Sequence, residues 1–174
     1  MQVTTQIVRP DTTDSTWIPL EETIQTIGQR GVSIQSPNKL IVTHVKAFEH
    51  FKYPVNRNIT VLCVGSKTQA YLESKGFKDI VYHKSAEYIR IEDRYCYYWL
   101  HGDKHRVDFR RDGERFRENV VAIKTFSTST LLQNTKKIVD LKPDTVSVYS
   151  QAQYKVFESC KYIPKLLRVV PSVT

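Results

Sequence analysis

Ile59-Thr60-Val61-Leu62-Cys63-Val64-Gly65-Ser66-Lys67-Thr68-Gln69-Ala70-Tyr71-Leu72-Glu73-Ser74-Lys75-Gly76-Phe77 decides how the chain is read. An apolar run with two β-branched valines ends in Gly65-Ser66, and a helical pattern follows at once. Ser66 and Gln69 have capping-box spacing: the hydroxyl can accept from the N–H of residue 69, and the Gln side chain can reach back. Gly76 predicts the end of the helix after about three turns. Strand, tight turn and helix make the repeating unit of an α/β sheet. A helix that starts at the carboxyl end of a parallel strand has free N–H groups and a positive dipole end, which suit an anion. The turn lacks both the phosphate-loop spacing and the three-glycine dinucleotide fingerprint, which argues against a nucleotide.

The same unit recurs on both sides. Lys39 to His44 predicts a strand, and Val45 to Phe51 a short helix. Asp79 to His83 and the aromatic Tyr95 to Leu100 predict two more strands, with a helical turn or two over Ser85 to Ile91. Asn119 to Phe126 and Thr145 to Tyr149 read as strands. Capping-box spacing recurs at Thr130/Gln133 and Ser150/Gln153. The first of these helices carries Leu131, Leu132, Ile138 and Val139 on one face and stops before Pro143. The second carries Ala152, Val156, Phe157 and Cys160. Met1 to Pro10 reads as a first strand, Ile18 to Gly31 as a short helix or a strand with a connector, and Leu166 to Val170 as an added edge strand. The order predicts a largely parallel sheet with helices on both faces. Boundaries fall near Ile34 and near Lys124.

With 174 residues the chain has room for one ordinary domain or two small ones. A net charge of +8 favours an acidic partner: nucleic acid, an anionic surface or a polyanionic small molecule. Cys63, Cys96 and Cys160 are too few and too scattered for a disulfide framework, and no metal-ligand spacing occurs. No run approaches the length of a membrane span, and the N-terminus has no signal-like apolar core. These features predict a reduced, cytoplasmic protein without a membrane segment.

Lys104, His105, Arg106, Arg110, Arg111, Arg115 and Arg117 form the densest basic run, predicted as a helix from Lys104 to Phe116. Asp103, Asp108, Asp112, Glu114 and Glu118 are mixed into it, so a solvated ion-paired face explains it better than a nucleic-acid surface. Tyr95, Tyr97, Tyr98 and Trp99 fit a half-buried strand better than a stacking platform. What recurs is a small hydroxyl residue at strand ends: Thr43, Ser66, Thr68, Thr128 and Ser150. In a parallel sheet these gather at the carboxyl edge, beside free helix N-termini, and would suit a ligand with many carboxylates.

In this ordered series the chain resembles the uroporphyrinogen-III synthase family. Leu40-Ile41-Val42-Thr43-His44-Val45-Lys46-Ala47-Phe48 looks like the family's strand, Thr-Ser, then Ala and an aromatic, with His44 where the family has Ser. Val64-Gly65-Ser66-Lys67-Thr68-Gln69-Ala70-Tyr71-Leu72 with Gly76 is similar to its Val-Gly-x-x-Thr-Ala-x-x-Leu…Gly segment. Trp99 to Asp103 with Arg106 resembles its strand-Gly…Arg segment. Val121 to Thr128 falls on its Val-Tyr-x-Thr strand, and Val146 to Ser150 on a later strand ending in Ser. The series runs from about residue 39 to 158. The family is about half as long again; here its first helix and its final βαβα portion have no counterpart. Phe126 stands where the family has a Tyr implicated in loss of the substrate hydroxyl, and a Phe cannot donate that hydrogen bond.

The resemblance implies two α/β lobes joined by a two-stranded connector: an inserted lobe at 35–123, and a second, reduced lobe from 1–34 and 124–174. It implies a lyase of tetrapyrrole (haem) biosynthesis that closes hydroxymethylbilane, a linear octacarboxylate, to uroporphyrinogen III with no metal or cofactor. Thr68, Thr128 and the position of Phe126 would be catalytic. Thr43, Gly65, Ser66, Lys67, Gly102, Arg106 and Ser150 would bind substrate. The protein would act as a monomer or with a cleft completed by a partner. The alternatives are a non-catalytic relative that binds an acidic ligand or partner, and a basic nucleic-acid-binding module.

Overall fold

A computed structural model of the protein describes residues 1–6, 15–149, 151–158 and 166–169. Its elements, in chain order, are β1 (Gln2–Thr4), β2 (Thr16–Trp17), β3 (Glu21–Gln25), β4 (Lys39–Val42), α1 (Val45–Glu49), β5 (Thr60–Val64) and α2 (Ser66–Ser74). They continue with β6 (Asp79–His83), β7 (Tyr97–His101), β8 (Arg111–Asp112), β9 (Arg115–Phe116), β10 (Val120–Lys124) and β11 (Phe126–Thr130). The last are α3 (Leu132–Leu141), β12 (Thr145–Val148), α4 (Gln151–Glu158) and β13 (Leu166–Val169). The fold is α/β with parallel sheets, as the recurring strand-turn-helix unit predicts. Among the described residues no helix is long and apolar enough to cross a membrane. The chain divides into two compact units, Gln25–Ser127 and Met1–Ile24 with Thr128–Val173. It passes between them within β3 and again within β11, and these two strands pair.

The unit Gln25–Ser127 is built on a five-stranded sheet in the order β10-β7-β4-β5-β6, parallel throughout. Leu40 pairs with Val61 and Tyr98, and Val42 with Cys63 and Leu100. The pleat therefore sorts side chains by parity. Leu40, Val42, Val61, Cys63 and Leu100 bury one face against Ala47 of α1, Leu72 of α2 and Phe77. Ile41, Leu62, Tyr97 and Trp99 bury the other against Ile89 and Phe109. Both faces are dry, which is why these strands read as unbroken apolar runs. Tyr97 and Trp99 are core residues, 1% exposed each. Cys63 is buried as well.

Right-handed crossovers explain the two faces. Stepping from β4 to β5 to β6 puts α1 and α2 on one side. Stepping back from β6 to β7, and on to β10, puts those connections on the other. That second face carries no α-helix, contrary to the expected helices on both faces. A single 3-10 turn, Ala86–Tyr88, and the loop bearing Phe109 cover it.

The helix expected over Lys104 to Phe116 is likewise replaced. Asp108 Oδ1 accepts from the backbone N–H of Arg110 at 3.0 Å, a local turn that competes with a helix. Beyond it, β8 and β9 form an antiparallel hairpin around Gly113-Glu114, with Gly113 at φ +62°. Asp112-Gly113 is a hairpin signal, and it prevails over the sparse helical spacing.

In the other unit the order is β13-β12-β1-β2, again parallel. Val3, Ile18, Leu20, Val146 and Val148 pack with Ile138 of α3 and Phe157 of α4. Leu166–Val169 takes the edge position expected for the tail. Two capping boxes give way to other arrangements. The N-cap of α2 is Gly65, at φ +85° and without a side-chain cap, so Ser66 is already helical. The N-cap of α3 is Leu131, because pairing of β11 carries the chain extended through Thr130. Leu132 is 75% exposed, and the buried face of α3 is Thr135 and Ile138. Ser150, of the third box, lies outside the described residues, as does Cys160. Gln153 is turned inward: its Oε1 accepts from the Tyr149 N–H at 2.7 Å and from Thr5 Oγ1 at 3.1 Å.

Candidate functional site: a histidine-lined cavity

The sheet of the unit Gln25–Ser127 reverses its strand order between β4 and β7. The loops that leave these two neighbours go to opposite faces, which opens a crevice at their carboxyl ends, where α/β proteins place ligands. Here Thr43-His44 follow β4 and His101-Gly102 close β7, and a cavity of about 270 Å³ lies between them. Trp99, Val64 and Phe126 contribute its apolar walls, Lys104 and Arg106 its cations, and His44, His101 and His105 its imidazoles. Among the described residues no carboxylate lines it. Arg106, with its side chain 74% exposed, is engaged by Glu87, Nε to Oε1 2.8 Å.

Each imidazole is fixed by a local cause. His44 caps the short helix α1: its Nδ1 accepts from the Lys46 N–H at 3.1 Å. In the neutral form its Nε2 then carries the hydrogen. Burial lowers its pKa from the usual histidine value, and Lys46 and Lys67 push the same way against Glu49. His101 is the mirror case. Its Nδ1 lies 2.7 Å from the Gly102 carbonyl oxygen, which can only accept, so Nδ1 carries the hydrogen and neutral Nε2 offers a lone pair. Burial lowers the His101 pKa too, opposed by the bond to Gly102. Trp99 stacks 4.5 Å from His101 and meets His105 edge-on at 4.9 Å. Its indole N–H is buried and has no acceptor among the described residues.

Phe126 and Gly102 depend on each other. A Cβ on Gly102 would lie 2.5 Å from Cζ of Phe126 and 2.8 Å from both Cε atoms. Those distances put the glycine over the face of the ring tip rather than beyond its edge. His44 and His50 approach the same ring, with centroids 6.0 and 6.2 Å away. Behind it, buried Thr125, between β10 and β11, donates its hydroxyl to the Ala47 carbonyl at 2.7 Å, which ties that junction to α1. Gln29 Nε2 donates to the His50 carbonyl at 2.6 Å, and its Oε1 accepts from the Lys52 N–H at 3.1 Å.

Of the residues singled out in the sequence, the cavity brings together Thr43, Gly102, Arg106 and Phe126. Gly65, Ser66 and Lys67 stand at the start of α2 and do not line it, although Lys67 acts on His44 electrostatically. Thr68 is buried in the first turn of α2, 5% exposed. Thr128 lies on β11 in the other unit. Sequence reasoning missed His101, His105 and Lys104. The signal for His101 was the alternation Tyr97, Trp99, His101, which places all three on one face of a strand. His105 and Lys104 were hidden by the expected charged helix. The remaining cations of that segment are largely engaged: Arg110 with Asp108 at 2.9 Å and Arg117 with Asp112 at 3.5 Å.

No protein-family model matches the chain, and no curated protein sequence does. Among solved structures it is similar to uroporphyrinogen-III synthetase from Helicobacter pylori 26695, with a TM-score of 0.58 and 13% identity over 98% of this chain and 82% of that one. At that identity the likeness establishes a shared fold and nothing finer: the chain has the α/β architecture of a uroporphyrinogen-III synthetase, with a basic, imidazole-lined cavity at the switch point of one sheet.

Proposed function

We propose that the protein is a lyase that closes hydroxymethylbilane to uroporphyrinogen III. The observation that carries this reading is the cavity at the switch point between β4 and β7, where cationic and imidazole groups meet apolar walls and no described carboxylate intrudes. Such a lining suits an aromatic ring that bears carboxylates. At about 270 Å³ it is at the small end of ligand cavities. It would take one pyrrole ring with its acidic side chains, and the rest of the substrate would extend outside. Gly65, Ser66 and Lys67, at the start of α2, would add contacts to further carboxylates, with Thr68 buried behind them in the first turn. Thr43 would donate from its hydroxyl. The chemistry would rest on holding a flexible chain folded with its ends close, which is catalysis by orientation. His44, whose Nδ1 is taken up by the Lys46 N–H, would offer its Nε2–H to a departing hydroxyl. The reading invokes no metal or cofactor.

One observation favours a second reading, binding without turnover: Phe126 offers a ring where a hydroxyl would be useful, and its face is committed to Gly102. An isomer-resolved assay separates the two. Spontaneous closure yields uroporphyrinogen I, so an excess of isomer III over the blank supports catalysis. Saturable binding with isomer I alone supports the second reading.

A further inference from the structure

Three imidazoles line one cavity, and the described lining contains no carboxylate to hold them charged. His101 is the decisive case. The Gly102 carbonyl keeps hydrogen on Nδ1, so the nitrogen left for a ligand is a lone pair as long as the ring is neutral. A lone pair repels a carboxylate oxygen. His101 can therefore bond an oxyanion only after taking up a proton on Nε2. We propose that the cavity is a proton-linked carboxylate site, in which an anionic ligand and a proton on Nε2 of His101 bind together.

The surroundings fit this coupling. His44 faces Lys46 and Glu49 of α1 and Lys67 of α2; His101 faces His105, Asp108 and Arg110 from the segment after β7. Lys104 also lines the cavity and opposes further positive charge there, while the guanidinium of Arg106 is ion-paired with Glu87. A bound oxyanion reverses the balance by supplying the missing counter-charge. The face of Trp99, 4.5 Å from His101, favours an imidazolium by cation–π attraction, and the centroids of His101 and His105 lie 5.3 Å apart. Independently, the indole N–H of Trp99, a residue 1% exposed, lacks an acceptor among the described residues. Imidazoles in place of fixed cations make the affinity a function of pH. The inference rests on the reading of the cavity as an anion site and is independent of whether the ligand is cyclised.

The test is calorimetric titration of the full chain with the aromatic tricarboxylate trimesate, between about pH 5.5 and 7.5, in buffers of different ionisation enthalpy. The expected result is a buffer-dependent enthalpy that reports net proton uptake, with affinity rising up to about tenfold for each unit the pH falls per proton taken up. His101→Gln should remove one proton from the uptake and flatten the pH slope. Imidazole NMR titration of the wild-type protein should show trimesate moving the His101 midpoint upward, a readout that does not depend on a variant folding. Buffer-independent binding, an unmoved His101 midpoint or no binding at all would each overturn the proposal. Proton-linked binding without isomer III would retain it and remove the cyclisation.

Discussion

Gly102 and Phe126 act as one unit at the scale of single residues. A methyl on Gly102 forces the Phe126 ring aside, and that ring is only 9% exposed. Gly102→Ala should cost about 1–3 kcal/mol by overpacking. Gly102→Ala with Phe126→Leu should recover part of it, and a thermal double-mutant cycle measures the coupling. Phe126→Tyr should behave differently. Because Gly102 covers the ring's face, a hydroxyl on Cζ avoids it, so the variant should fold normally and raise the rate of isomer III formation. An unchanged rate in a folded variant counts against Phe126 as the limiting residue. The histidines give the pH dependence its sign. Burial lowers the His44 and His101 pKa values below the ordinary 6.5, so the unfolded chain takes up protons first on acidification. Their contribution to stability is complete above about pH 6.5 and is lost as the pH falls below it. The melting temperature should drop through that range, and His44→Asn should reduce the drop.

The elements show why some of the fold was legible in the chain and some was not. The strands β4, β5 and β7 stand out as short apolar runs because both of their faces are dry, whereas β6, at the sheet edge, is largely exposed and reads as a strand from its β-prone residues. α1 and α2 follow from the turns that end β4 and β5. The hairpin of β8 and β9 was obscured because charged residues satisfy helix and hairpin equally in water; only Asp112-Gly113 distinguishes them, through backbone geometry. Two capping boxes misled because the hydroxyl spacing was present while neighbouring contacts fixed the cap elsewhere, at Gly65 and Leu131. The cavity was half legible. The strand-end hydroxyl pattern pointed to Thr43 and the family resemblance to Gly102, but His105 reaches the cavity through a loop whose path no local periodicity records. The hairpin offers a clean test. Gly113 has φ +62°, and a Cβ added there would meet nothing within 4 Å, so the cost of an alanine is conformational alone. Gly113→Ala should lower stability by about 1 kcal/mol. Gly113→Asn, which tolerates that backbone region, should cost less in the same denaturant titration.

For the molecule as a whole, the decisive fact is that the unit Gln25–Ser127 is one uninterrupted stretch of chain, while the other unit is assembled from two. The chain enters and leaves the continuous unit along β3 and β11, which are partners. Seen from the split unit, the whole insert spans no more distance than a tight turn. The split unit is thus spared most of the loop-closure entropy that a long intervening segment would impose, provided the insert is already folded. This makes assembly hierarchical: the contiguous half is self-sufficient, and the split half waits for it. Residues 25–127 expressed alone should give a cooperative melt and retain trimesate binding, since every residue named in the cavity lies within them. The two outer segments mixed without the insert should remain unstructured by circular dichroism. A folded outer pair with an unfolded insert would invert the order. In evolutionary terms, a body whose two ends leave as paired strands is one that a chain can acquire or lose in a single step, with its binding pocket carried along intact.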